Sequence, residues 1–258
     1  MAELIDAVSA LARCEQLVVA CDMDGTIAEF IHDPADVVVN AESVTALCRL
    51  AAMPATLAAV VSGRPYLDLA AILRRSGIEG TDRLILVGGH GVEIEGPPQL
   101  TPAQRSLVAT ITEQVPAALA PWPAIIAEHK VTGISVHSRA LTEEQAQAAE
   151  DRLRGLLADA AWSQGVFVQR GVRMFEVLVL EPNKGAAVEH LRGRFASPVA
   201  GVFYAGDDLT DETVFSRLVA GDVGVHIGPK PTAAPFRIAD TTALAGVLTT
   251  LAQQRQPG

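Results

Sequence analysis

A chain of 258 residues, 49% hydrophobic with a mean hydropathy of +0.28, is long enough for one large core or for a core plus a smaller module. Lys plus Arg number 20 against 30 Asp plus Glu, a formal charge of -10, and aromatic residues make up 4%, so no basic stripe or stacking ladder points to nucleic acid. The amino terminus carries Glu3 and Asp6 without a cationic region before an apolar stretch, and no apolar run approaches the ~20 residues of a membrane span, so the chain reads as cytoplasmic.

Cys14, Cys21 and Cys48 have no metal-ligand spacing and read as reduced core residues. The oligomeric state leaves no trace in the sequence, and a monomer is compatible with it.

The first apolar run, Leu17 to Cys21, reads as a buried strand and ends in Asp22-Met23-Asp24-Gly25-Thr26. Residues i and i+2 of an extended segment point the same way, and open parallel sheets place ligands at the carboxyl ends of their strands. Two acids facing one another there suit chemistry better than stability, although Asp24-Gly25-Thr26 alone could simply be a turn. Strand-like and helix-like runs then alternate: Ala41 to Leu50, Thr56 to Val61, Leu67 to Arg75 and Leu84 to Gly88. The second strand ends in Ser62-Gly63-Arg64, and the third opens into Gly88-Gly89-His90-Gly91, where His90 is either a ligand-facing residue or an ordinary turn histidine.

Over residues 101–180 the rhythm changes. Thr101 with Gln104 and Thr142 with Gln145 read as capping boxes, each opening a helix. Each helix is followed by two short strands: Ala124 to Lys130 and Gly133 to Arg139, then Val166 to Gln169 and Met174 to Leu180. This αββαββ unit predicts a small α+β module with an antiparallel sheet. Alternation puts Glu128 and Lys130 on one side of their strand, His137 and Arg139 on one side of theirs, and Glu176 among apolar residues on a third, which is either a solvated face or a grip for a hydroxyl-rich ligand.

From Glu181 onward the α/β rhythm resumes. Asn183-Lys184-Gly185 opens a helical pattern, where a lysine is ordinarily solvated, and Gly201 to Ala205 leads into Gly206-Asp207-Asp208-Leu209-Thr210-Asp211-Glu212. Four acids in six positions at a second strand end need a counter-charge. Carboxylates without His or Cys suit Mg²⁺ rather than zinc. Residues 1–100 and 181–258 therefore form one doubly wound α/β domain with a parallel sheet.

The order Asp-x-Asp-Gly-Thr, Ser, Lys, Gly-Asp-Asp-x-x-Asp resembles the haloacid dehalogenase superfamily of phosphatases. Within it the stretches around Ser62, His90, Glu128, His137 and Asp207 resemble the trehalose-phosphate phosphatases. The resemblance implies a Rossmann-like core whose inserted cap, residues 101–180, reads the sugar. It implies Asp22 as nucleophile, Asp24 as general acid and base, and Ser62 and Lys184 on the phosphoryl oxygens. Mg²⁺ would be held by Asp22, the Asp24 carbonyl and Asp207, with Asp211 ordering water and Asp208 a ligand or a residue behind the ligands. Arg64, His90, Glu128, Lys130, His137, Arg139 and Glu176 are the implied substrate contacts. The implied reaction is Mg²⁺-dependent hydrolysis of a disaccharide phosphate, trehalose 6-phosphate first, through an aspartyl-phosphate.

His129, Ser138 and Leu178 depart from the family's usual Asp, Tyr and Arg in the cap. They leave sucrose phosphate, a glycosylglycerate phosphate or a pseudo-disaccharide phosphate as alternatives. A phosphomutase and a non-catalytic phosphate-binding or phospho-acceptor module are the other readings; Asp24 argues against the non-catalytic ones, since binding needs no second acid.

Overall fold

The computed structural model describes residues 1–29, 37–158, 162, 165–171, 173–195 and 200–255. In chain order the elements are α1 (Ala2–Leu11), β1 (Leu17–Cys21), α2 (Ala41–Ala51), β2 (Thr56–Val61), α3 (Tyr66–Arg75), β3 (Ile85–Gly88) and β4 (Glu93–Ile94). Then follow α4 (Pro102–Leu119), β5 (Ile126–Lys130), β6 (Gly133–His137), α5 (Glu143–Leu157), β7 (Phe167–Gly171) and β8 (Met174–Leu178). The chain closes with α6 (Lys184–Arg192), β9 (Gly201–Gly206), α7 (Glu212–Phe215), β10 (Val223–Ile227), β11 (Phe236–Ile238) and α8 (Thr241–Gln254).

Two compact units result, Met1–Gly96 with Asn183–Gly258, and Pro97–Pro182. The first is an α/β unit around a seven-stranded sheet of order β11-β10-β9-β1-β2-β3-β4. All pairs are parallel except β3 with β4, a two-residue antiparallel edge that the alternation of runs did not reveal. β1 is central and wholly buried. Its Leu17, Val19 and Cys21 join a core with α1, α2, α3 and α8, and its Val18 and Ala20 join a second core with α6 and α7. A strand covered on both faces must be apolar throughout, which is why Leu17 to Cys21 reads as an unbroken run.

The second unit is a four-stranded antiparallel sheet of order β5-β6-β8-β7. α4 and α5 begin with the two capping boxes, Thr101 with Gln104 and Thr142 with Gln145. They cover one sheet face, where Ile111, Val115, Leu119, Ala149 and Leu153 pack on Ile134, Val136, Phe175 and Val177. The residues between, Ser135 and Glu176, turn to the other face. No described helix is long and apolar enough to cross a membrane.

Arg255, just past α8, ties the first unit together at the end of the sheet opposite the acidic clusters. Its buried guanidinium donates to Thr56 Oγ1 (2.6 Å) and to the carbonyls of Ala12 (3.2 Å), Cys14 (2.8 Å) and Ala55 (3.0 Å). Replacing it leaves buried acceptors without donors. Arg255→Ala is expected to lower unfolding free energy by about 2–3 kcal/mol. The denaturant midpoint checks this; a change within about 0.5 kcal/mol would contradict the clamp.

Candidate active site

Parallel register decides which loops meet. Cys21 stands opposite Val60 of β2 and Ala205 of β9, so the three strands end at one edge and Asp22, Ser62 and Asp207 follow there. The Asp22 amide donates to the Ala205 carbonyl at 2.8 Å, extending the ladder to the residue itself. The chain then turns sharply through Gly25 at φ 82, with the amides of Ile27 and Ala28 closing on the Met23 carbonyl, a conformation that favours glycine.

Asp22 is buried and its Oδ1 accepts from Lys184 Nζ at 2.8 Å. Lys184 is the first residue of α6, with Asn183 capping the helix through the Ala186 amide at 2.9 Å. A lysine there would ordinarily be solvated; this one is 2% exposed. The reason lies in the packing of α6 on α7. A Cβ on Gly185 would sit 2.0 Å from the Thr213 carbonyl oxygen, so only glycine lets the helix start come close enough to drive Lys184 inward.

Lys184 also donates to Asp211 Oδ1 at 2.8 Å. Asp211 accepts in addition from Tyr204 Oη (2.6 Å) at Oδ1, and from the amides of Asp207 and Asp208 (3.0 Å each) at Oδ2. Both of its oxygens are thus engaged. Asp211 holds the acidic loop and the lysine in place, and Gly206 admits it: a Cβ there would lie 2.3 Å from its carboxyl carbon.

Desolvation opposes the charge on Lys184, but Asp211 and Asp22 outweigh it and raise its pKa, so it stays an ammonium. Burial pushes the Asp22 carboxyl well above its ordinary value, against the pull of Lys184. Burial likewise raises Asp207 to about 6, with Lys230 opposing. Tyr204 is raised by burial and by Asp211, which keeps its hydroxyl a donor. Cys21 is raised by burial and by Asp22, so its thiol is inert.

Oxygens of Asp22, Asp207 and Asp211 lie within 4.8 Å of one another. Asp207 Oδ1 is buried and has no hydrogen-bond partner among the described residues. Three carboxylates face the Lys184 ammonium, with the exposed Lys230 3.6 Å from Asp207 Oδ2 as a second cation, so the cluster stays negative and would attract a divalent cation. The donors are hard oxygens, so the site fits Mg²⁺ and not zinc.

Of the other two acids near this set, Asp208 was an expected carboxylate and Asp24 was expected to lend only its backbone carbonyl; both side chains are directed elsewhere. The Asp24 side chain is gripped by Arg64, Nε to Oδ2 and Nη2 to Oδ1, both 2.7 Å. Asp208 points outward to Lys230 at 3.1 Å; desolvation opposes its ionised form, but the Leu209 amide and Lys230 hold its pKa below the ordinary value. Ser62 is buried, and its Oγ accepts from the Arg64 amide at 3.2 Å. His90 takes a left-handed conformation, φ 55, with its ring over Gly63, where a Cβ would fall 2.4 Å from it.

In the second unit, buried Glu176 accepts from Lys130 Nζ and from Ser135 Oγ (2.6 Å), and Glu128 meets His137 Nε2 at 3.2 Å. Arg139 lies exposed in the turn beyond β6. Tyr204 and Lys230 were not among the expected site residues. Tyr204 had a readable signal, since a tyrosine in a buried strand needs a partner for its hydroxyl; Lys230, reached across a loop, had none.

A family model described as trehalose-phosphatase matches residues 20–241. The trehalose-phosphate phosphatase of Mycobacterium marinum is 33% identical over 285 residues, covering 97% of this chain and 68% of that protein. Among solved structures, Aspergillus fumigatus trehalose-6-phosphate phosphatase superposes with a TM-score of 0.70 at 23% identity, over 96% of this chain and 97% of that one. The C-terminal domain of the Candida albicans trehalose synthase regulatory protein does so with 0.69 at 13%, over 95% and 97%. These two structures speak to fold alone.

A raised carboxyl pKa sets the sign of the pH dependence. Between the unfolded value of 3.8 and about 6 the folded chain binds the Asp207 proton more tightly than the unfolded one, so this group costs the metal-free fold most above pH 6. A cation competes with that proton. Mg²⁺ is therefore expected to raise the melting temperature clearly at pH 7.5 and little at pH 5, measured by thermal unfolding with and without the ion; equal shifts at both would contradict the assignment.

Proposed function

This chain belongs to the trehalose-phosphatase family, and we propose that it hydrolyses trehalose 6-phosphate to trehalose and phosphate, with Asp22 as the nucleophile. One observation carries the chemistry: a buried lysine fixes Asp22 beside two further carboxylates at the carboxyl edge of a parallel sheet.

Lys184 holds Asp22 Oδ1, which sets the side-chain rotamer and leaves Oδ2 to attack phosphorus. As the bond from Asp22 to phosphorus forms, the bond from phosphorus to the sugar oxygen breaks, and Asp24 delivers its proton to that oxygen. Water then attacks the aspartyl-phosphate, Asp24 takes the water's proton, and phosphate leaves with Asp22 restored. Ser62 and Lys184 supply a neutral donor and a cation for the phosphoryl oxygens that do not react. Mg²⁺, held by Asp22, Asp207 and the neighbouring acidic loop, would offset the repulsion between an anionic nucleophile and an anionic phosphate.

The sugar is read by the polar face of the second unit, where Glu128, Lys130, His137 and Glu176 offer charged hydrogen-bond partners to hydroxyls. Arg139 adds to it from the turn after β6, and within the first unit Arg64 and His90 stand beside Asp24 and Ser62. A sugar gives little apolar surface, so such bonds must carry its recognition. His129, Ser138 and Leu178 on the same unit keep sucrose phosphate, a glycosylglycerate phosphate and a pseudo-disaccharide phosphate as the second reading. A cytoplasmic location suits free Cys14, Cys21 and Cys48.

The test is phosphate release from these esters, with Mg²⁺ or with chelator. Trehalose 6-phosphate is expected to be the fastest, chelator to abolish release, and Asp22→Asn to lower turnover by about 10³-fold or more. Wild-type turnover in Asp22→Asn would contradict the nucleophile, and a faster rival ester would move the substrate.

A further inference from the structure

We infer that Glu93, a residue with no part in the chemistry above, is a positioning residue for the general acid Asp24; the inference rests on the phosphatase reading. Glu93 opens the short strand β4 and is 5% exposed, an unusual place for a carboxylate. Its Oε2 accepts from the amide of Tyr66, the first residue of α3, at 2.5 Å. That amide needs an outside partner, because at the first helical position it has no intrahelical carbonyl within reach. A carboxylate is the favoured partner at the positive end of a helix.

The bond joins two loops that carry site residues. Tyr66 follows directly on Arg64-Pro65, and Glu93 comes two residues after the Gly88 to Gly91 turn. The same two loops are stitched by the Gly89 amide to the Arg64 carbonyl and by the His90 amide to the Ser62 carbonyl, both 2.9 Å. The approach is so close that a Cβ on Gly88 would lie 2.5 Å from the Tyr66 nitrogen and 3.0 Å from Glu93 Oε2. Arg64, fixed at its backbone in this way, is the residue that grips both oxygens of Asp24. Glu93 thus acts on Asp24 through Arg64. Loss of Glu93 frees the start of α3 and with it the backbone from which Arg64 reaches.

A general acid matters for a sugar alkoxide and hardly at all for p-nitrophenolate, which leaves without a proton. The experiment compares kcat/KM, which reports the step that expels the alcohol and not the later hydrolysis of the aspartyl-phosphate common to both esters, on trehalose 6-phosphate and on p-nitrophenyl phosphate for the full chain, Glu93→Ala and Glu93→Gln, with melting temperatures alongside. Glu93→Ala is expected to lose about tenfold or more on the sugar ester and less than about threefold on the aryl ester. Glu93→Gln, whose amide oxygen accepts the same bond, restores the sugar-ester rate. If Glu93→Ala does not fold, Glu93→Asp replaces it, its carboxylate drawn back by one methylene from the Tyr66 amide. Parallel losses on the two esters, or an unchanged sugar-ester rate, overturn the inference. Wild-type protein inert on both overturns the phosphatase reading beneath it.

Discussion

A buried ammonium between two buried carboxylates is the interaction on which the rest of the first unit's edge depends. Lys184 sits between Asp22 and Asp211, residues far apart in sequence that the sheet brings to one place. Removing Lys184 leaves Asp22 and Asp211 buried without their counter-charge, a loss of about 3–5 kcal/mol, so both carboxylates depend on it. Through Asp211 the same contact extends to Tyr204 and to the amides of Asp207 and Asp208, which fixes the acidic loop. The arrangement remains negative. That residue of charge is what makes it a site for a cation and a poor place for a purely structural ion pair.

The fold supplies this geometry by register. Because β1 lies between β2 and β9 with Cys21 level with Val60 and Ala205, the residues following all three strands converge without any long loop having to fold over. The glycines at Gly185 and Gly206 then allow contact distances that any side chain would block. The net charge of -10 works against long-range capture of an anionic ester, so attraction must come from Lys184, Arg64, Lys230 and a bound cation at short range.

Much of this was legible in the chain itself, and the pattern of what was not is instructive. Strand ends carrying Asp22, Ser62 and Asp207 are readable because an apolar run followed by acids or a hydroxyl has few structural uses. The capping boxes at Thr101 and Thr142 are local, and they appear where they were expected. Partner choice is not local. The burial of Lys184, the capture of Asp24 by Arg64, the outward turn of Asp208 to Lys230 and the placement of Glu93 against Tyr66 each join segments distant along the chain, and composition holds no record of them. The antiparallel edge strand β4 is only Glu93–Ile94, too short for any periodicity to show.

The family sets the substrate class, while the fold by itself does not: a regulatory protein's domain superposes on this chain about as well as a phosphatase does. What separates the two readings is whether Asp22 forms a bond to phosphorus. The most direct measurement is mass spectrometry of the protein acid-quenched during turnover of trehalose 6-phosphate with Mg²⁺. The account predicts one added phosphoryl group on the peptide containing Asp22, lost on neutral incubation. A phosphoryl group on another residue, or phosphate release with no modified enzyme at any quench time, would contradict it.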